Sequence, residues 1–449
     1  MTEERHDSSP AISRRQFIKT ATTVSTAVMM PAVVPASALG RGGRKSPGQK
    51  INIGIIGVGY QAHGHLNALI RNSDVHVLAV CDVDRTRRED AKKIADTWYG
   101  DDIGKGTYKA TDAYSDFREL VARKDIDAVL IGTPDHWHII PAMEAAKAGK
   151  DIYCEKPLTL TIAEAHNIIQ GVRKHNRVFQ TGSQQRSSQE FRIACQAVRN
   201  GRIGKVKQVY VTVGAPSRPC DLPEEPMEPG LDWNMWLGQA PMRPYNSILS
   251  PRGVHQFFPN WRNYREYSGG QMTDWGAHHF DIAQWGLGMD ESGPIEIIPP
   301  DDPSKGVGVK YIYDNGAEVI HGNYKDEDGE ERGGVHFVGE TGVVYVDRGK
   351  LKSWPESIVK EPLGASEKPL YVSDNHHQNW IDCMKSRQKP ICDVEIGARS
   401  VTVCHLGNLA YWHGRKLKWD PKKWEFPGDK EANGWRDRER RAPWKLPTA

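Results

Sequence analysis

Between residues 51 and 154, short apolar runs alternate with stretches that read as helices. The runs at 51–56, 75–80, 128–131 and 151–154 are four to six residues long and largely apolar. Such runs mark parallel strands buried on both faces rather than strands with one wet face. Helical stretches at about 60–71 and 139–148 lie between them. This alternation predicts a doubly wound α/β domain, with a ligand crevice at the carboxyl ends of its strands. After about residue 204 the pattern changes to strands at 207–213, 308–313, 318–323 and 343–346. Turn signals at Asp314-Asn315-Gly316 and Glu340-Thr341-Gly342 punctuate them. Residues 215–265, rich in Pro and Trp, carry few regular signals, and loops of that length inside a compact domain are usually functional.

The strand at 51–56 ends in Gly57-Val58-Gly59-Tyr60-Gln61-Ala62, the G-x-G-x-x-G/A pattern of a dinucleotide-binding turn. The first glycine permits the tight turn, and the second lets backbone N–H groups approach a pyrophosphate at a helix N-terminus. The second strand delivers Asp82 where a ribose-binding acid belongs, which favours NAD over NADP, although Arg85, Arg87 and Arg88 stand close enough to receive a phosphate. The competing reading of Asp82 is an N-cap for the following helix. Two further strand ends carry Thr133-Pro134-Asp135-His136-Trp137-His138 and Glu155-Lys156-Pro157.

The 449 residues exceed what one core organises, so two domains are expected. Net charge is only +3 with both signs mixed along the chain, which argues against nucleic acid or a charged membrane surface as partner. Seven scattered cysteines without a C-x-x-C pair form neither a disulfide framework nor a zinc site and read as small buried residues. His136/His138, His63/His65 and His376/His377 lack a third ligand at diagnostic spacing, so no metal is expected. Near the N-terminus, Ser13-Arg14-Arg15-Gln16-Phe17-Ile18-Lys19, a mildly apolar run at 21–34 and Ala36-Ser37-Ala38 form a twin-arginine export signal with its cleavage site. No segment approaches ~20 consecutive apolar residues, so a stable membrane span is not expected. The expected organisation is a removed signal at 1–38, a flexible lead at 39–50, an NAD-binding Rossmann domain at 51–180 and an α+β domain at 181–449 ending in a helix and tail. The twin-arginine translocase is then a transient partner and the periplasm the destination.

Taken together, the motifs resemble the Gfo/Idh/MocA oxidoreductases, and they run in family order over most of the mature chain. The matching residues are Gly57-Val58-Gly59, Asp82, Thr133-Pro134 with His136 and His138, Glu155-Lys156-Pro157, Gly182-Ser183-Gln184-Gln185-Arg186 and the segment from Ser268 to Asp281. The segment from His376 to Asn408 and the Trp- and Arg-rich tail are similar to an exported bacterial subgroup with an extended C-terminal domain. The resemblance implies a Rossmann domain joined to an open, mostly antiparallel sheet that supports substrate binding and assembly into a dimer or tetramer. It also implies a catalytic Lys156, and a proton-relay pair in Asp274 and His278.

Hydride transfer from a carbinol carbon needs a base for the hydroxyl proton and a cation for the developing alkoxide. Lys156, at a strand end, suits the second task; a surface pair with Glu155 is the plain alternative. Asp274 and His278 are four apart, on one face of a helix, so the carboxylate is expected to raise the imidazole's pKa and fix its tautomer; the plain alternative is a surface ion pair. Val58, Tyr60, Gln61, Glu155 and Gln184 complete the expected cofactor site, with His136 and His138 flanking the nicotinamide ribose. Arg186, Trp261 and Arg262 are expected to reach substrate, and Trp137, Trp233 and Trp236 to offer flat faces to a sugar ring. The expected function is oxidation of a secondary hydroxyl of a sugar, sugar derivative or cyclitol. Because free NAD is scarce outside the cytoplasm, export implies a tightly held cofactor. The alternatives are a redox-neutral, NAD-dependent glycoside-cleaving enzyme and a non-catalytic sugar-binding module. Relatives of the first kind usually lack the lysine at position 156, and an intact Lys156, Asp274 and His278 argues against the second.

Overall fold

The computed structural model describes residues 50–449 apart from Thr107. The export signal at 1–38 and nearly all of the lead at 39–50 lie outside the described residues.

The apolar runs become a six-stranded sheet of β1 (Ile51–Ile56), β2 (Val75–Cys81), β3 (Asp112–Tyr114), β4 (Ala128–Ile131), β5 (Asp151–Cys154) and β6 (Phe179–Thr181), in the order β3-β2-β1-β4-β5-β6. Every pairing is parallel. Strand order reverses between β1 and β4, so their carboxyl ends splay apart and open the crevice in which this architecture binds ligands. Helix α1 (Tyr60–Ile70) follows β1, and α2 (Arg85–Trp98) follows β2 with its N-terminus capped by Asp84. Residues such as Ile53, Ile55, Val77, Leu130 and Ile152 are fully buried, as continuous apolar runs require when helices cover both faces of a sheet.

The second sheet has eight strands. Those used below are β7 (Val206–Thr212), β8 (Gly334–Gly339), β9 (Val343–Asp347) and β10 (Lys350–Trp354). All neighbours pair antiparallel except one parallel contact onto β7. The fold is therefore α/β overall, with a mixed and mostly antiparallel second sheet. Helix α3 (Gly276–Leu287) packs against this sheet, for Gly286 leaves only the space that the Phe337 ring fills. The long α5 (Val394–His413) is buried along most of its length and contacts both halves of the molecule.

Late segments return to the first sheet. In α4 (His376–Ser386), Trp380, Ile381, Cys383 and Met384 join the core cluster of Ile53, Val75 and Tyr153. At either end of that helix Asn72 donates to Gln378 at 2.9 Å, and Lys385 and Arg387 pair with Asp74 and Asp151. The tail does likewise, with Trp444 edge-on to Trp137 at 4.9 Å and Arg440 paired with Glu164 at 2.9 Å. All seven cysteines are free, six of them buried. Among the described residues no helix is long and apolar enough to cross a membrane.

Candidate active site

The first wall of the site is the turn between β1 and α1. Gly57 has φ of +79°, and a Cβ there would stand 2.7 Å from the Thr133 nitrogen, so the position needs glycine for both its conformation and its neighbour. A Cβ on Gly59 would meet nothing within 4 Å, so the turn faces open space at the start of α1. That helix end has no side-chain cap and no acidic residue in its first turn. Its orphan N–H groups therefore remain open to an anion, which is what a pyrophosphate requires. Asp82 braces the turn, one carboxylate oxygen accepting from Val58 N and the other from Asp84 N, each at 2.9 Å. Burial raises its pKa, with the Arg87 cation opposing the shift. The residues present thus fit a dinucleotide.

A second wall arrives from the long loop at 215–265. The backbone after β2 pairs with it: Asp232 N donates to the Val83 carbonyl and Arg85 N to the Gly230 carbonyl, each at 3.0 Å. Further along, the buried Arg87 guanidinium donates to Ser250 Oγ at 3.3 Å, to the Gly253 carbonyl at 3.2 Å and, at short range, to the Pro251 carbonyl. Arg88 turns back to the carbonyl of Asp82 at 2.6 Å. Of the three arginines behind Asp82, two are therefore engaged within the protein rather than poised for a phosphate. Phe258 closes edge-on against Tyr60 at 4.9 Å. Between the walls lies a cavity of about 460 Å³ lined by Gly57, Gly59, Tyr60, Gln61, Asp82, Thr133, Pro134, Glu155, Lys156, Gln184, Trp261, Arg262, Asp274 and His278, among others.

At the far end of this cavity stands Lys156, which follows β5. Its Nζ donates to Asp274 Oδ1 at 2.7 Å and to the Asp274 carbonyl at 2.9 Å. Arg262 Nε lies 3.5 Å from the same carboxylate oxygen. Burial alone would raise Asp274, but the cations of Lys156 and Arg262 outweigh it and hold the carboxyl below its usual value. The expected Asp274–His278 pairing does not form. The helix breaks at Trp275, between a single turn at Gln271–Asp274 and α3, and Asp274 turns to Lys156 instead. His278 is only 4% exposed and its Nδ1 has no hydrogen-bond partner. Burial first, then the Lys156 and Arg348 cations, drive its pKa well below the ordinary histidine value rather than above it. A neutral imidazole beside a fixed ammonium can accept a proton at neutral pH.

Behind Lys156, Glu155 Oε1 is held by His65 Nε2 at 2.7 Å and Gln184 Nε2 at 2.9 Å, and His65 Nδ1 meets His377 Nε2 at 2.7 Å. Burial pushes Glu155 upward, yet His65 and Lys156 prevail and bring it down to about 2.

The structure corrects three expected contacts, those of His136, His138 and Arg186. Val58 contributes only its backbone, its side chain being fully buried. His136 points away from the cavity, its Nε2 3.0 Å from the Trp236 carbonyl, and burial lowers its pKa to about 3. His138 spans the Pro157 and Thr133 carbonyls at 2.8 and 2.9 Å, so it ties two strand ends together rather than flanking a ribose. Arg186 is 1% exposed and its guanidinium is consumed by Asp281 and Asp290, each at 2.7 Å, leaving nothing to offer substrate. Trp233 and Trp236 stack on one another at 4.6 Å within a core cluster, while Trp236 and Trp137 also reach the cavity wall. Trp261 does line the cavity, with the Arg262 guanidinium 4.2 Å from its ring. Phe258, Arg348, Trp275 and Asp135 also line the cavity; Phe258 and Arg348 reach it through packing distant in sequence, whereas Trp275 and Asp135 adjoin Asp274 and Pro134 and were not singled out.

Comparison with known proteins supplies a second line. Residues 51–183 match the family model described as oxidoreductase family, NAD-binding Rossmann fold, and residues 214–446 match its C-terminal alpha/beta domain. A myo-inositol 2-dehydrogenase of Thermotoga maritima is 31% identical over 169 residues, 38% of this chain and 47% of that protein. A glycosyl hydrolase family 109 protein of a Shewanella species is 29% identical over 178 residues, 35% of this chain and 36% of that protein. The chain thus spans about half the length, or less, of the curated relatives it matches. Among solved structures, a scyllo-inositol dehydrogenase of Lactobacillus casei with bound NAD(H) and scyllo-inositol superposes with a TM-score of 0.54 at 17% identity, covering 82% of this chain and 99% of that one.

Proposed function

The chain belongs to the Gfo/Idh/MocA oxidoreductase family, and from that premise we propose that it oxidises a secondary hydroxyl of a sugar, sugar derivative or cyclitol with a nicotinamide cofactor that stays bound. The observation that carries this reading is the Lys156–Asp274 ion pair, 2.7 Å long, in the same cavity as the Gly57–Gln61 turn and the neutral His278.

The Gly57–Gln61 turn and Asp82 would hold the dinucleotide, which when bound accepts a hydride from the carbinol carbon. Lys156, fixed by Asp274, presents an ammonium to the hydroxyl oxygen and favours negative charge developing there. His278 takes the proton. Its burial excludes water, and the cations around it keep it unprotonated until the hydroxyl ionises. The engagement of Arg87 and Arg88 within the protein, together with Asp82, supports NAD over NADP. Two relatives support the substrate class by their own names, the myo-inositol and scyllo-inositol dehydrogenases.

The Ser13–Lys19 motif supports export to the periplasm through the twin-arginine translocase, after which residues 1–38 are removed. An exported enzyme cannot replenish a lost cofactor, so the cofactor is a fixed prosthetic group, turned over in place by a second sugar. The working form is a dimer or tetramer of this chain. A second reading, redox-neutral glycoside cleavage, is favoured by the match to the glycosyl hydrolase family 109 protein; Lys156 supports the first.

To test this, the mature protein is purified, denatured, and the supernatant assayed for nicotinamide dinucleotide; near one equivalent per chain is expected, and none refutes the bound cofactor. A sugar panel added to native protein then gives a lasting rise at 340 nm for net oxidation. Aglycone release without a lasting rise establishes the redox-neutral reading instead.

A further inference from the structure

The end of the cavity that holds His278 carries an excess of cations. Lys156, Arg262 and Arg348 line it together. Asp274 faces them as the one committed carboxylate, already taken by Lys156 at 2.7 Å and approached by Arg262 at 3.5 Å. The other acids nearby are occupied. Asp135 accepts from Ser268 Oγ at 2.5 Å, and burial raises it to about 7. Glu155 is held from behind by His65 and Gln184.

Arg348 sits in the turn between β9 and β10, where Asp347 Oδ1 accepts its backbone N–H. Its guanidinium lies 4.6 Å from the Trp275 ring and has no carboxylate partner among the described residues. Stacking on an indole fixes the plane of a guanidinium while leaving its N–H fork open, which suits recognition of a planar anion. Arg262 is similarly stacked on Trp261, with Nη1 donating to the Pro259 carbonyl and Nη2 without a partner among the described residues. A wholly neutral polyol offers hydroxyls that need acceptors as well as donors, and this end of the cavity is short of free acceptors.

We propose that the substrate is a sugar bearing an anionic substituent, a carboxylate or a phosphate, gripped by Arg348 with help from Arg262. The inference rests on the reading of this cavity as the site of sugar oxidation.

The test uses wild-type holoenzyme, Arg348→Gln and Arg348→Lys with four probes: D-glucuronate, glucose 6-phosphate, glucose and myo-inositol. Reduction of the bound cofactor is followed at 340 nm, and binding of radiolabelled glucuronate and glucose 6-phosphate by equilibrium dialysis. Wild type is expected to prefer an acidic probe by kcat/KM, glucuronate marking a carboxylate and glucose 6-phosphate a phosphate. In Arg348→Gln the acidic-to-neutral ratio falls by about 10- to 100-fold through KM, as loss of a charged hydrogen bond implies, and Arg348→Lys recovers part of it. A wild-type preference for the neutral sugars, or a ratio unmoved by Arg348→Gln, overturns the proposal while leaving sugar oxidation standing. If no probe reduces the cofactor, dialysis decides: Arg348-dependent binding upholds the anion site against a failed oxidation reading, and no binding in wild type overturns it.

Discussion

Arg87→Ala probes whether the loop at 215–265 retains the cofactor. Arg87 is 7% exposed, and its guanidinium ties helix α2 to Ser250, Pro251 and Gly253, residues that continue toward Phe258 over the Tyr60 end of the dinucleotide turn. Removing it leaves the inner part of the loop attached through the 3.0 Å bonds at Gly230 and Val83 and the 2.6 Å bond from Gly253 N to Glu228. The lesion is therefore local. Hydrogen bonds from a charged donor contribute about 1.5–3 kcal/mol net, so opening of the outer loop becomes easier by roughly that amount. If the loop must open for release, the cofactor leaves about 10- to 100-fold faster. The assay mixes holoenzyme with excess isotope-labelled NAD and follows exchange by mass spectrometry. Because Arg87 brings a charge to the cavity wall, Ser250→Ala serves as the companion; Ser250 lines the cavity too, but its loss keeps the cation, loosens the same loop, and gives a smaller rise. Exchange unchanged within twofold in both variants, with melting temperatures showing both folded, would refute the loop as a strap.

Three other outcomes follow from the geometry. Gly57→Ala forces a Cβ to within 2.7 Å of the Thr133 nitrogen at a φ of +79°; a loss of roughly 1–3 kcal/mol in denaturant titrations and purification without cofactor are expected, and wild-type retention would count against the turn. His278→Gln slows oxidation, and wild-type kcat/KM stays level as pH falls through 6.5, because burial and the neighbouring cations hold His278 below that value; an inflection near 6.5 lost in the variant contradicts the neutral base. Burial lowers His136 to about 3 and both His376 and His405 to about 4, so below pH 6.5 the unfolded chain binds protons that the folded one refuses. Their contribution to stability is therefore complete above about pH 6.5 and is lost as pH falls towards 4, by about 1.4 kcal/mol per histidine at pH 5.5. A urea midpoint that does not fall between pH 7.5 and 5.5 would speak against this.

What the sequence made legible was local. The turn Gly57–Gln61, Asp82 and Lys156 each follow a buried strand directly, so the strand's position places them. His136 and Arg186 also follow strand ends, yet their side chains answer to partners far along the chain. Arg186 is neutralised by Asp281 and Asp290, 95 and 104 residues away, and no spacing announces that. Asp274 and His278 have helical spacing, but a break at Trp275 redirects the carboxylate to Lys156, 118 residues distant in sequence. The return of α4 to the first sheet was hidden for the same reason: Val75 and Tyr153, in whose core cluster Trp380 and Ile381 sit, belong to another part of the chain.

In the proposed reaction, oxidation of the sugar depends on Lys156, aligned by Asp274, while the dinucleotide is held elsewhere in the cavity. The most direct test of that dependence compares wild type with Lys156→Ala, each purified with its cofactor, by absorbance at 340 nm after addition of an oxidisable sugar. The expected result is one equivalent of reduced cofactor in wild type and, in Lys156→Ala, the same cofactor content with reduction slowed about 100- to 1000-fold, as loss of an electrostatic stabiliser of this kind implies. Reduction at an undiminished rate in Lys156→Ala would contradict the account.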